Sequence, residues 1–121
     1  MSMFGFQKLD VYRCAVAFLG AAARLVETVP RGYGSLADQL RRAALSVPLN
    51  IAEAGGRSEA EARRHYSIAR GSVLECAAVV DAFEALRLAS SAELAEPREL
   101  LERVVSMLIK MTRPAPTPEV S

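Results

Sequence analysis

The chain has 121 residues, enough for one domain to bury a core without metal or disulfide support. Hydrophobic residues make up 51% and aromatics 6%, with no Trp, and such a supply of small apolar side chains favours close-packed helices over a sandwich of bulky strands. The net charge of +1 is too small to specify a partner, and no uninterrupted apolar run approaches the roughly 20 residues of a membrane span.

Val11, Ala15, Phe18, Ala22, Leu25 and Val29 step by three and four, the stripe of an amphipathic first helix. Pro30, Gly32 and Gly34 stop it. Ser35, with Asp38 three residues on, is the predicted cap of a second helix whose stripe is Leu36, Leu40, Ala43, Val47, Ile51 and Ala54. Gly55-Gly56 ends it. Pro48 lies inside that stripe, and its missing amide and its ring against the Ala44 carbonyl predict a kink there, with Ser46 or Asn50 hydrogen-bonding the freed backbone.

Ser58 and Glu61 signal the next start. The third helix carries the cleanest pattern: Ala62, Tyr66, Ala69, Val73, Cys76, Val80 and Phe83 repeat every 3.5 residues on average, the spacing of bundle packing. After Ser90 or Ser91 a fourth helix follows, with Pro97 expected in its first turn and Leu94, Leu101, Val104 or Val105, Leu108 and Met111 as its apolar positions. No stretch alternates in the manner of a strand. The sequence therefore predicts an all-α, antiparallel up-down-up-down four-helix bundle over residues 1–113, with helix 2 kinked at its proline. PAPTPEVS, residues 114–121, is expected to be a flexible tail.

Chemistry-bearing residues are few. One histidine, two cysteines in apolar surroundings (Cys14 and Cys76) and scattered carboxylates form no triad, metal set or phosphate loop. A non-enzymatic protein with no cofactor and no metal is predicted, and the unpaired thiols, with no basic apolar leader, predict a cytoplasmic location. A polar stripe on helix 2, Gln39, Arg42, Ser46, Asn50, Glu53 and Arg57, shares one face. Its predicted role is a structural network with helix 3 made by Arg42, Ser46, Asn50, Glu53 and Arg70, in which Glu53 pairs with Arg70 and Asn50 reaches helix 3 or the kink. Residues 1–70 hold ten Lys/Arg against six Asp/Glu, a net of +4, whereas residues 71–121 hold five against eight, a net of −3. Arg41, Arg57, Arg63 and Arg64 are the candidates for phosphate contact with RNA or DNA, against the alternative of a solvated arginine-rich turn.

SLADQLRRAALSVPLNIAEAGGRS, then SIARGSVLE, resembles the four-helix-bundle proteins encoded in intervening sequences of bacterial 23S rRNA genes, and FQKLDVYRCA is similar to the start of that family. The resemblance covers Phe6 to Arg113. It implies the same antiparallel bundle, a homo-oligomer of pentameric form and no enzymatic activity. It also implies a distant similarity to the accessory variability determinant of diversity-generating retroelements, which binds a reverse transcriptase and nucleic acid through a basic surface. The motif positions here are Arg41, Arg42, Ser46, Pro48, Asn50, Glu53, Arg57, Arg70, Gly71 and Ser72. Tyr12 stands in place of the family's Trp, Ala54 in place of Gly, and Ala62 and His65 at positions commonly Phe. Leu74, Ala77 and Val79 replace typically polar residues, which marks them as candidates for an interface with a subunit or a protein partner. The alternative is a helix 3 more enclosed in its own bundle. Two functions follow: an oligomeric scaffold that binds nucleic acid, or a protein-protein adaptor that does not.

Overall fold

The computed structural model describes residues 4–113; the tail expected at 114–121 lies outside them. A short 3-10 turn, Gly5–Lys8, leads into four α-helices: α1 Asp10–Glu27, α2 Gly34–Ala54, α3 Glu59–Ala85 and α4 Ser91–Thr112. Among the described residues there is no strand. Backbone packing runs round a ring, α1 on α2, α2 on α3, α3 on α4 and α4 back on α1, with no close backbone approach across either diagonal.

Cross-helix bonds give the directions. Gln39, Ser46 and Asn50 of α2 meet Glu75, Ser72 and His65 of α3, in descending order. Likewise Arg98 of α4 meets Asp81 and Glu84 of α3, while Thr112 meets Arg70. α2 and α3 are therefore antiparallel, as are α3 and α4, and α2 runs parallel to α4.

The apolar stripes fill the middle of this ring. Phe18, Leu40, Ile51, Phe83, Leu94 and Leu108 are among the largest fully buried side chains, and each contributes about 1.5–3 kcal/mol by leaving water. Ala69, Val73, Cys76, Val80 and Phe83 of the 3.5-residue stripe are all buried, with Tyr66 packed at its edge.

Two helix starts follow their cap signals. Ser58 Oγ accepts from the Glu61 amide at 3.3 Å. Ser90 and Glu93 form a reciprocal capping box, and these bonds hold the Glu93 carboxyl below its ordinary value. The predicted Ser35 cap is not made. α2 begins at Gly34 behind Tyr33 with no side-chain cap, and Asp38 instead pairs with Arg41 one turn along. Pro97 is also displaced from its expected first-turn position, because the Ser90 cap sets the start of α4 at Ser91 and leaves Pro97 inside the helix, buried.

α2 continues through Pro48, which is buried. The Asn50 amide donates to the Ser46 carbonyl at 2.9 Å, not to the Ala44 carbonyl that the proline leaves without its helical donor. Gly56, at φ +82°, supplies the left-handed residue needed to turn from α2 into α3.

Candidate interaction surfaces

The α2/α3 seam is polar and hydrogen-bonded along its length. Ser72 Oγ donates to Ser46 Oγ at 2.8 Å, and the Asn50 amide donates to the same oxygen at 3.1 Å. Asn50 Oδ1 lies 3.1 Å from His65 Nδ1. A carbonyl oxygen only accepts, so Nδ1 is the protonated ring nitrogen. Gln39 donates to Glu75 at 2.7 Å further along. Gln39, Arg42, Ser46, Ser72 and Glu75 line a polar cleft of about 330 Å³ here. Among the described residues every buried side-chain polar atom is bonded, as low-dielectric surroundings demand.

The expected network is made in part: Asn50 reaches α3, as expected, but the Glu53 ion pair differs. Glu53 pairs with Arg57 on its own side of the seam, not with Arg70. The two are one helical turn apart, whereas Arg70 faces α4 and donates to Thr112 at 3.4 Å. The Arg57 hydrogen bond and charge lower the Glu53 pKa and raise that of Arg57. His65 takes the place across from Asn50.

The arginine candidates are mostly matched by carboxylates. Arg41 pairs with Asp38 at 2.9 Å, Arg57 with Glu53 and with Glu61 at 4.0 Å, and Arg63 with Glu59 at 3.4 Å. Arg64 is exposed and has no ion pair among the described residues. Arg57, Arg63 and Arg64 belong to the α2/α3 turn and the start of α3, while Arg41 sits 16 residues earlier on α2, about 24 Å away along the axis. One basic patch does not contain all four.

The α3/α4 seam is of a different kind. Val73, Leu74, Ala77, Leu101 and Val105 line an apolar groove of about 230 Å³, rimmed by Asp81, Arg98 and Glu102. Leu74 is 59% exposed and Ala77 is half-buried at its wall. Val79, expected beside them, is buried in the core on the other flank of α3, so it belongs to its own bundle and not to a surface. Arg98 bridges Asp81 at 3.0 Å and Glu84 at 3.1 Å, which raises its pKa.

Two titratable groups on α3 are shifted by burial. Burial, reinforced by the Glu75 charge, pushes the Cys76 thiol up to about 12, leaving almost no thiolate at neutral pH. Burial likewise raises the Tyr66 phenol. Among the described residues no three His, Cys, Asp or Glu side chains come together to hold a metal, and no helix is long and apolar enough to cross a membrane.

A ring of four sequentially packed helices with clefts along its seams defines a small helical-bundle protein. The 23S rRNA-intervening sequence protein family matches residues 7–110, and the chain belongs to it. No curated protein matches the chain.

Proposed function

We propose that the protein works by recognition and not by catalysis, as a self-associating helical-bundle scaffold. The α3/α4 groove carries this reading: a leucine left 59% exposed beside a half-buried alanine and valine is apolar surface suited to burial against a partner. The two free, buried thiols suit a reducing compartment such as the cytoplasm. Nucleic-acid binding through the arginine-rich end draws support from the clustering of Arg57, Arg63 and Arg64. It is the second reading, because Arg41, Arg57 and Arg63 each have a carboxylate to surrender before contacting phosphate.

Light scattering on the purified protein, with and without an RNA fragment at low and high salt, separates the readings. The scaffold reading predicts a mass above the 13.0 kDa of one chain, little changed by RNA or salt. A complex with RNA that dissolves steeply as salt rises favours the second reading. A 13.0 kDa monomer that ignores RNA refutes both.

A further inference from the structure

We propose that the polar cleft between α2 and α3 binds a small zwitterion of the α-amino-acid class, its carboxylate on Arg42 and its ammonium on Glu75, independently of the scaffold reading above. Arg42 and Glu75 line the cleft from opposite helices, yet among the described residues no ion pair joins them and neither pairs elsewhere. Asp38, the carboxylate one turn before Arg42 on its own helix, is taken by Arg41 at 2.9 Å. The Arg42 guanidinium therefore brings unused donors in a planar fork that matches a carboxylate. Glu75 accepts from Gln39 Nε2 through Oε1 at 2.7 Å, and its Oε2 has no donor among the described residues.

Ser46 and Ser72, half-buried between these exposed side chains, add a third group. They share a hydrogen bond at 2.8 Å, and Asn50 donates to Ser46 Oγ as well. The two hydroxyls carry two protons and spend one on each other, so one proton of the pair has no acceptor among the described residues. Asn50, itself 3.1 Å from His65 Nδ1, holds Ser46 in place. Ser46 lies one turn beyond Arg42 on α2, which sets the spare hydroxyl donor next to the guanidinium.

Charge balance selects the ligand. Arg42 and Glu75 sum to zero, so a net anion such as phosphate gains the arginine but meets the Glu75 carboxylate, and a simple cation meets the reverse. A zwitterion satisfies both. In an α-amino acid the two charged groups flank one carbon, so a single small molecule bridges two walls that do not reach each other. Its carboxylate accepts from the guanidinium and the spare seryl proton, while its ammonium donates to Glu75 Oε2. The cleft volume of about 330 Å³ is at the low end of the ~300–1,000 Å³ of small-ligand sites. Ala43 is the one apolar residue among those that line it, as a small hydrophilic occupant requires.

Equilibrium dialysis of the full chain against radiolabelled glycine tests the site, and glycine should bind saturably. Unlabelled acetate and methylammonium, each with one charge, should compete about tenfold or more weakly than unlabelled glycine. Glycine betaine should compete as weakly, because its methylated nitrogen has no proton for Glu75. Arg42→Met and Glu75→Gln should each weaken glycine binding by about tenfold or more. Both positions are exposed, so circular dichroism should stay that of wild type. Arg64→Met, at the α2/α3 turn, should leave binding unchanged. Absence of saturable glycine binding overturns the proposal, as does wild-type affinity in either cleft variant. Inorganic phosphate that competes more tightly than glycine overturns the zwitterion in favour of a simple anion.

Discussion

The two flanks of α3 solve opposite problems. Toward α2 the seam is closed by hydrogen bonds that satisfy one another, from His65 through Asn50 and Ser46 to Ser72. Toward α4 the seam is apolar and open, with its ion pairs confined to the rim. A satisfied polar seam fixes how two helices sit but leaves little apolar area to offer. An apolar seam with an exposed leucine does the reverse. One helix thus anchors on one side and leaves apolar surface uncovered on the other.

The largest test of this contrast is under the groove. Leu101 is 4% exposed at its floor, and Leu101→Ala should cost about 2–5 kcal/mol in chemical denaturation, as loss of a buried leucine does. If that variant unfolds no more easily than wild type, burial does not hold the α3/α4 seam. The next effect is polar. Asn50→Ala leaves His65 Nδ1 without its partner while Ser46 keeps Ser72, and should cost about 1–3 kcal/mol, whereas Asn50→Asp keeps the acceptor and should cost less. Equal losses would mean the His65 contact contributes nothing.

Arg98→Ala should be milder than either, since its ion pairs are in solvent. The smallest effect is pH-linked. Glu53 has its pKa lowered by Arg57, so its contribution is present above the ordinary value of 4.5 and fades as pH falls through the lowered one. Urea midpoints of wild type and Glu53→Gln should therefore differ slightly at neutral pH and converge in acid. Divergence on acidification would reverse the assignment.

Periodicity made the bundle legible, because burial needs one apolar face per helix and α3 repeats its own without a break. Boundaries were less so. Ser35 looked like a cap and is not one, since any serine before an apolar run matches the pattern while only backbone geometry decides. Pro97 was drawn to a first turn because prolines favour it, yet the Ser90–Glu93 box starts α4 earlier and overrides that preference.

The seam network was half visible. Ser46 and Asn50 stand out on α2 and Asn50 is expected to reach α3 or the kink, but periodicity does not say which α3 residues meet them. His65, Ser72 and Glu75 share the α2-facing flank of α3, separated by seven and three residues, and that polar register was the available signal. Val79 shows the converse. An apolar residue beside a core stripe reads equally as widened core or as interface, and only the rotation of the helix in place separates it from Leu74. Pairing of arginines with carboxylates one turn away was legible in the spacing of Asp38 and Arg41, Glu53 and Arg57, and Glu59 and Arg63.

The closing of the ring has a kinetic consequence. Three of its seams join helices that follow one another in the chain, each through a short turn. The α1/α4 seam joins the first helix to the last, so forming it closes a loop of nearly the whole domain and carries the greatest entropy cost. Partial opening should therefore begin where Met107 and Leu100 lean on the bundle from α4. Amide exchange would show α1 and the outer turns of α4 losing protection before the α2/α3 hairpin does.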